Sequence, residues 1–398
     1  MTADMTKQTT DITKQTIGIG PFPPATFAVG AVAGLADAVR RTGSERVAIV
    51  TDAGLGATPL PAGIAERLAG AGLPAEIFAG VHPNPTTADV DAGAAAVRAV
   101  GERAAVVSLG GGSALDAAKA IALAAPNPHR PAAELSWGDA ELAAALPIVA
   151  VPTTSGTGAE CNDFGVVTDT ATHRKCYLGG PTCLAHSVIL DPELTLTLPP
   201  GATAASGIDC LTHAVESFLS KRANAWADGL DLQVVRLVAA NLRRAVADGS
   251  DLPARSHLLL AAHTAGQAMS TTGLGIVHGV AHPLGGRFDL PHGVALALVL
   301  GECLRFNRTV RLERLAGLAE PLGVHAANAT DERNADAAIA AIEDLVAAVN
   351  LRGALGTWGI TEADLPQLAQ DTLDDAVMAN TPRDADAADV MGILRAAL

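Results

Sequence analysis

Three of the chain's 11 histidines lie within one glycine-rich stretch, Thr271–Gly293. They are His278, His282 and His292. His278 and His282 are four residues apart, so on a helix their imidazole rings share one face. The glycines around them allow a ligand to approach the backbone closely. Each histidine could be an ordinary buried, hydrogen-bonded side chain, but three in one stretch favour a shared site.

The residues between these histidines predict a helix, a turn and the start of a second helix. A Pro-Leu-Gly-Gly run begins at Pro283 and predicts that the first helix stops or turns there. Pro291 can occupy the first turn of the next helix, with His292 beside it. The imidazoles of the two helices can therefore converge.

A carboxylate and a fourth histidine form a second pair with helical spacing. Asp209 and His213 are four residues apart, in a segment with good helical propensity after Gly207. By itself this pair is most simply a solvent-facing ion pair. Together with His278 and His292 it makes one Asp and three His, which suits Fe(II), Zn(II) or Mn(II). An open coordination position would make such a site catalytic. The spacing does not decide whether the remaining histidine, one turn after His278, is a ligand or a proton donor.

Two polar loops follow predicted strands and could bind a nucleotide. The strand Ala104–Leu109 leads into Gly110–Ser113 and then a helix, so free backbone amides and the positive helix end could bind a phosphate. The strand Leu146–Val151 leads into Pro152–Glu160, which is rich in hydroxyl groups and glycine. Both segments could be ordinary turns, but their position after strands is typical of a nucleotide site. Neither is a GxGxxG fingerprint or a P-loop.

The elements that position these loops alternate between strand and helix from Phe22 onwards, which predicts a parallel sheet covered by helices. After Pro200 the strands vanish and Ala- and Leu-rich helical patterns continue to Leu398. We therefore expect a loose, Thr-rich N-terminal tail over 1–20, a nucleotide-binding α/β domain over 21–200, and a helical, metal-binding domain over 201–398.

The composition excludes several function classes. A formal net charge of −15 argues against nucleic acid or an anionic membrane as a partner. The five cysteines are odd in number and lack CxxC spacing, which indicates reduced thiols. No signal peptide pattern is present, and no uncharged apolar run approaches the roughly 20 residues that span a bilayer. A soluble cytoplasmic protein is the expectation.

Five motifs together resemble those of the iron-containing (group III) alcohol dehydrogenase family, and the resemblance extends over Phe22–Leu398. They are GGGSALDAAK at 110–119, PTTSGTGAE at 152–160, DPELTLTLPP at 191–200, GIDCLTHAVES at 207–217 and GIVHGVAHPLGGRFDLPHG at 275–293. The resemblance implies a dehydroquinate synthase-like fold, with a Rossmann-like α/β domain, an all-helical domain and an active site in the cleft between them. It also implies a homodimer or larger homo-oligomer.

The resemblance assigns the cofactor contacts residue by residue. Gly111, Gly112 and Ser113 match the loop that binds the cofactor's pyrophosphate. Asp116 matches a residue on the nicotinamide side of the cofactor site. Thr153, Thr154 and Thr157 match the second wall of the cofactor site. Lys175 matches a lysine that contacts the ribose, and Leu194 matches a residue that packs on the adenine. Asp52 follows a strand where family members that prefer NAD carry an acid. A carboxylate there binds ribose hydroxyls and repels a 2′-phosphate, so NAD is favoured over NADP.

The resemblance also divides the histidines by role. It implies that Asp209, His213, His278 and His292 bind one divalent metal, with Fe(II) favoured over Zn(II), and that His282 relays a proton near the substrate. The implied reaction interconverts a primary alcohol and an aldehyde. The metal polarises the substrate oxygen, and hydride passes to or from the nicotinamide.

Three positions depart from the family pattern around the substrate. They are Asn162, Thr271 and Arg287. Arg287 could be a surface residue or could bind an acidic group on the aldehyde. One alternative is a maleylacetate reductase, but those relatives usually lack the residue matching Asp209. A sugar-phosphate cyclase or lyase of the same fold is a second alternative. It would need several cations around a phosphate, and these motifs have few.

Overall fold

The computed structural model of the chain describes residues 16–101, 103–172 and 174–398. These residues form two compact units, one of Pro21–Leu198 and the other of Pro199–Leu398 together with 16–20. The predicted Thr-rich tail lies mostly outside the described residues, because 1–15 are not among them.

The first unit alternates strands and helices, as the sequence predicts. Its strands are β1 Ala25–Phe27, β2 Arg46–Asp52, β3 Ala75–Val81, β4 Ala104–Gly110, β5 Ile148–Pro152, β6 Phe164–Thr168, β7 Lys175–Gly179 and β8 Ser187–Leu190. Its α-helices are α1 Leu35–Arg41, α2 Ala53–Gly56, α3 Pro59–Gly70, α4 Thr87–Val100 and α5 Gly112–Ala124. Six strands form one parallel sheet in the order β1-β8-β5-β4-β2-β3, while β6 and β7 form a separate antiparallel pair.

The strand order reverses between β2 and β4. From β2 the chain passes to β3 on one side, and then to β4 on the other side of β2. Ligands of open α/β sheets bind outside the carboxyl ends of the strands at such a switch point. Asp52 ends β2 and Gly110 ends β4, so both lie at this position.

The central strands of the sheet, such as β2 and β4, are buried on both faces. Alternate residues of β2 and β4, such as Val47, Ile49 and Val107, join one apolar core with residues of α1 and α3. The other residues of β2 and β4, which include Ala48 and Ser108, lie on the opposite face because strand side chains alternate. Helices α4 and α5 contact each other and the strands. Continuous apolar strands are the pattern expected of a sheet covered on both sides.

The described residues of the second unit form helices and connecting turns, with no strands. Its α-helices are α6 Pro200–Leu219, α7 Ala225–Ala247, α8 Leu252–Thr272, α9 Ile276–Phe288, α10 His292–Gly317, α11 Asp331–Ala348, α12 Leu365–Leu373 and α13 Ala387–Ala396. Their apolar faces share one large core. Within the described part of the chain, no helix is long and apolar enough to cross a membrane.

One local prediction is wrong. The helix carrying His278 and His282 does not stop at Pro283 but continues to Phe288, with the proline inside it. Pro283 cannot donate to the carbonyl four residues earlier, which costs about 3 kcal/mol. Ten consecutive residues, Ile276–Gly285, are buried in this helix, and their packing offsets that loss. The turn comes instead at Asp289, whose φ of 55° is left-handed.

Candidate functional site

Asp209 and His213 lie on one face of α6, as the four-residue spacing predicts. Both are buried, with exposures of 3% and 4%. Gly207 precedes them on the helix where a side chain would collide with Leu242, since a Cβ there would lie 2.2 Å from Leu242 Cδ1. Glycine therefore lets α6 and α7 pack closely.

Helices α9 and α10 bring two further imidazoles to Asp209. His278 Nε2 and His292 Nε2 lie 3.8 and 3.7 Å from Asp209 Oδ1, and His213 Nδ1 lies 3.5 Å from it. The ring nitrogens of His213 and His278 approach to 3.1 Å. His292 is the first residue of α10, directly after Pro291. The four residues that the sequence predicts as ligands are thus neighbours within one unit.

The cluster separates the pKa values of its members. Burial by itself raises the pKa of Asp209, but the charges of His213, His278 and His292 lower it to about 2. Burial lowers the pKa of His278, whereas its contacts with Asp209 and Glu216 raise it to about 9. Burial, with the charges of neighbouring histidines, lowers the pKa of His292 well below its ordinary value. The site therefore holds an ionised carboxylate beside at least one neutral imidazole.

Glu216 is a functional residue that the sequence analysis missed. It is 5% exposed, and its carboxylate accepts hydrogen bonds from the backbone N–H of Val277 at 2.7 Å and of His278 at 3.3 Å. Its Oε2 also lies 2.6 Å from His278 Nδ1. A carboxylate on one ring nitrogen of a histidine directs the other nitrogen towards a metal. Glu216 follows His213 by three residues on the same helix, so helical spacing could have identified it.

His282 contacts a different carboxylate. Its Nδ1 lies 2.7 Å from Asp375 Oδ2, and Asp375 Oδ1 accepts from the N–H of Val377. Burial raises the pKa of Asp375, but the hydrogen bond with His282 lowers it overall, so this carboxylate is ionised. An ionised carboxylate only accepts, so Nδ1 of His282 donates, and Nε2 has no hydrogen-bond partner among the described residues. Asp375 is 93 residues from His282 along the chain, and no local pattern indicates the contact.

The donor set fits a transition metal ion. Ligand atoms of Asp209, His278 and His292 all lie within 4.8 Å of one another. Asp209 Oδ1 is buried and has no hydrogen-bond partner among the described residues. An unsatisfied buried carboxylate oxygen is costly unless a cation compensates it. One carboxylate and several imidazoles match Fe(II), Zn(II) or a similar borderline ion.

In the first unit, Asp52 and the glycine loop meet at the switch point of the sheet. Asp52 Oδ1 accepts from the N–H of Leu55, and its Oδ2 lies 3.2 Å from where a Cβ on Gly110 would be. Gly110 has a φ of +148°, which favours glycine. No side chain caps the first turn of α5, so its amides face outward beside Ser113. This arrangement suits a phosphate with a ribose next to the carboxylate.

The hydroxyl-rich loop after β5 packs directly on the glycine loop. A Cβ on Gly111 would lie 2.9 Å from Thr154 Cγ2, and one on Gly112 would lie 2.4 Å from Thr157 Cγ2. Thr153 donates its N–H to the carbonyl of Gly110 at 2.9 Å. The two predicted cofactor walls are therefore one continuous structure.

The other predicted cofactor residues lie in the same unit. Lys175 Nζ lies 3.4 Å from Asn84 Oδ1. Leu194 is 9% exposed and packs into the apolar core. Asp116 lies beside Lys119, at 3.3 Å from its ammonium group. Burial raises the pKa of Asp116, and Lys119 opposes this effect.

The three residues suggested for the substrate have diverse surroundings. Asn162 is 9% exposed and contacts Lys119. Thr271 lies in the last turn of α8, and its hydroxyl donates to the carbonyl of Ala268. Arg287 forms an ion pair with Asp371 on α12. Arg287 is nine residues from His278, which places the two on opposite faces of α9.

Comparisons with known proteins identify the family of the chain. Residues 23–192 match the family model described as iron-containing alcohol dehydrogenase, and 203–398 match that of the family's C-terminal part. The chain is 34% identical to the lactaldehyde reductase of Escherichia coli K12 over 374 residues, 94% of this chain and 97% of that protein. It is 33% identical to the NAD-dependent methanol dehydrogenase of Bacillus methanolicus over 378 residues, 95% and 99% of the two chains. A crystal structure of 1,3-propanediol oxidoreductase is 34% identical with a TM-score of 0.91, over 96% of this chain and all of that one.

Proposed function

The chain belongs to the iron-containing alcohol dehydrogenase family and is an oxidoreductase, and on that basis we propose that it interconverts a primary alcohol and an aldehyde using NAD and one divalent metal ion. We assign the metal to Asp209, His213, His278 and His292, with Fe(II) favoured and Zn(II) possible. The observation that carries the proposal is the buried Asp209 carboxylate among three imidazoles, with one oxygen that lacks any hydrogen-bond partner in the described part of the chain.

When bound, the metal supplies a Lewis acid for the substrate oxygen, and NAD supplies the hydride acceptor. The protein's own residues prepare both ends of this chemistry. Glu216 holds Nδ1 of His278 so that Nε2 faces the ligand cluster. Asp375 accepts the hydrogen bond from Nδ1 of His282. Nε2 of His282 can then accept the alcohol proton during oxidation and return it during reduction.

Asp52 supports NAD as the preferred cofactor. Its carboxylate ends β2 beside Gly110 and is fixed by the N–H of Leu55. A ribose at this position can donate its hydroxyls to the carboxylate, whereas a 2′-phosphate would be repelled. One similar protein is an NAD-dependent methanol dehydrogenase, which agrees with this preference.

The experiment that tests the function is a spectrophotometric panel. Purified protein is loaded with Fe(II) or Zn(II) and assayed at 340 nm with NADH or NADPH and a series of short aldehydes, and with NAD and the matching alcohols. We expect turnover of short aldehydes with NADH that is lost after chelation of the metal. Undiminished activity in metal-free protein would contradict the assignment and favour the maleylacetate reductase alternative.

An acidic group on the aldehyde stays a prediction. Arg287 is the residue on which it rests, and its charge is balanced by Asp371. Its position on the opposite face of α9 from His278 counts against direct contact with the substrate. If Arg287 binds an acidic group, Arg287→Ala raises KM for charged aldehydes but leaves KM for neutral ones unchanged.

A further inference from the structure

Lys119 on α5 is a buried lysine whose hydrogen-bonding capacity is fully used. It is 3% exposed, which is rare for a lysine that lacks partners. Its Nζ donates to the carbonyl of Ala159 at 2.8 Å and to Oδ1 of Asn162 at 2.5 Å, and it pairs with Asp116 Oδ1 at 3.3 Å. The ring of Phe164 lies 5.7 Å from it. An ammonium group has three donors, and each has an acceptor here.

These contacts determine which way the amide of Asn162 points. Lys119 Nζ can only donate, and the backbone N–H of Phe164 donates to the same Asn162 atom at 3.3 Å. That atom must therefore be the oxygen, so the usual ambiguity between amide oxygen and nitrogen does not arise. The amide nitrogen Nδ2 then points away from Lys119. It has no hydrogen-bond partner among the described residues.

The same ammonium group sets a carboxylate beside this free donor. Asp116 and Asn162 are both bound to Nζ of Lys119, so their side chains are close neighbours. The carboxylate of Asp116 accepts from Lys119 and from the backbone N–H of Val166, and two of its roughly four lone-pair sites stay available to a further donor. Asn162 offers Nδ2 as a donor. An adjacent acceptor and donor complement a primary carboxamide, whose NH2 donates and whose oxygen accepts. Nicotinamide carries such a group.

We propose that Lys119 is a positioning residue that fixes Asn162 as an obligate donor to the carboxamide oxygen of the nicotinamide. The inference rests on the proposed function, because it assumes NAD as the cofactor. It goes beyond that function by assigning Asn162 to the cofactor and not to the alcohol. It also gives Lys119 a role without contact to any ligand.

The test compares two dinucleotides that differ in one atom. Isothermal titration calorimetry measures Kd for NAD and for thionicotinamide adenine dinucleotide, in which sulfur, a poor acceptor, replaces the carboxamide oxygen. We expect the wild type to bind NAD more tightly than the thio analogue by about 3- to 10-fold, the value of one hydrogen bond. In Asn162→Ala the affinity for NAD falls by a similar factor, and the preference for NAD disappears. Lys119→Met also loses the preference, although it touches no ligand.

Two further variants keep the result interpretable if the alanine variant folds poorly. Asn162→Asp has the same shape and can still accept from Lys119, but it presents an acceptor where the donor was, so it also loses the preference. Asn127→Ala is the matched control, because both ends of the Asn127 amide bond to backbone groups of the same unit. It should retain the wild-type preference.

Several results would overturn the inference. A preference for NAD over the analogue that persists in Asn162→Ala and Asn162→Asp would show that Asn162 does not read the carboxamide. Unchanged Kd for both dinucleotides with a raised KM for the alcohol would assign Asn162 to the substrate. Wild-type protein that binds no NAD would overturn the proposed function, and the inference with it. Wild-type binding and turnover with unaltered variants would contradict the inference alone.

Discussion

Replacing Glu216 by glutamine tests how the proposed metal site is built. The carboxylate is 5% exposed and faces three N–H groups, those of the Val277 backbone, the His278 backbone and His278 Nδ1. Glutamine keeps one oxygen but places an NH2 group where the second oxygen was. That NH2 cannot accept from His278 Nδ1. The imidazole must then carry its proton on Nε2, which removes the nitrogen needed for the metal.

The expected loss follows from this change of tautomer. Substitution of a residue that orients a metal-binding histidine typically weakens metal affinity by about 10- to 100-fold, or about 1.4–2.8 kcal/mol. Competition of the purified variant with a chromophoric chelator measures the affinity for Zn(II) and Fe(II) directly, without reference to activity. We expect Glu216→Gln to bind metal within this weaker range and to lose turnover in proportion at limiting metal.

Asp231→Asn is the matched control for that experiment. Asp231 is also fully buried in the helical unit, but its carboxylate accepts from Ser217 and has no histidine contact within the described part of the chain. Its replacement should leave metal affinity unchanged. A folded Glu216→Gln protein with wild-type metal affinity would refute the tautomer argument, since the ring would then be fixed by something other than Glu216.

Four shorter predictions follow. Asp209→Ala should prevent metal binding, because it removes the carboxylate that the three imidazoles surround. Metal analysis of the purified protein by mass spectrometry measures this loss, and a fully loaded, active variant would contradict the assignment. His282→Ala should lower kcat by about 10²- to 10⁴-fold as a lost proton relay, while retaining bound metal; loss of the metal would make His282 a ligand. Asp52→Asn keeps the hydrogen bond from the N–H of Leu55 but removes the negative charge that would repel a 2′-phosphate. KM for NADPH should therefore fall by about 10-fold, while KM for NADH changes little. An unchanged cofactor preference would refute the role of Asp52. Burial and the neighbouring Asp228 raise the pKa of Asp231 well above its ordinary value. The folded state therefore binds a proton that the unfolded state releases, and stability falls as pH rises from about 4 towards the folded pKa. Asp231→Asn should match the wild type in Tm near pH 4 and exceed it at pH 8; a constant difference would mean that Asp231 does not titrate.

Much of the site could be predicted because helices and parallel sheets have fixed periods. Four-residue spacing places Asp209 with His213, and His278 with His282, on single helix faces. Alternation of apolar strands and helices predicts a parallel sheet, and the end of a strand in such a sheet is where Asp52 and the glycine loop must lie. These features depend on local geometry, which neighbouring residues determine.

Tertiary packing alone decided the remaining features. Helical spacing places Glu216 near His213 on α6, but its pairing with His278 spans 62 residues of chain, and the pairing of Asp375 with His282 spans 93. No local period extends over such separations. Pro283 would be expected to end a helix that is not packed against other elements. Here the burial of α9 outweighs the hydrogen bond that the proline cannot make, so the helix continues. Lys119 determines which end of the Asn162 amide faces away from it. In the sequence, Lys119 is only one residue of an apolar helix, and nothing there links it to Asn162. The sequence by itself thus determined which chemical groups are present and on which helix face or strand end each lies, because backbone periodicity is local. Only the tertiary structure decided which carboxylate orients which imidazole or amide, because those pairings depend on how the helices pack.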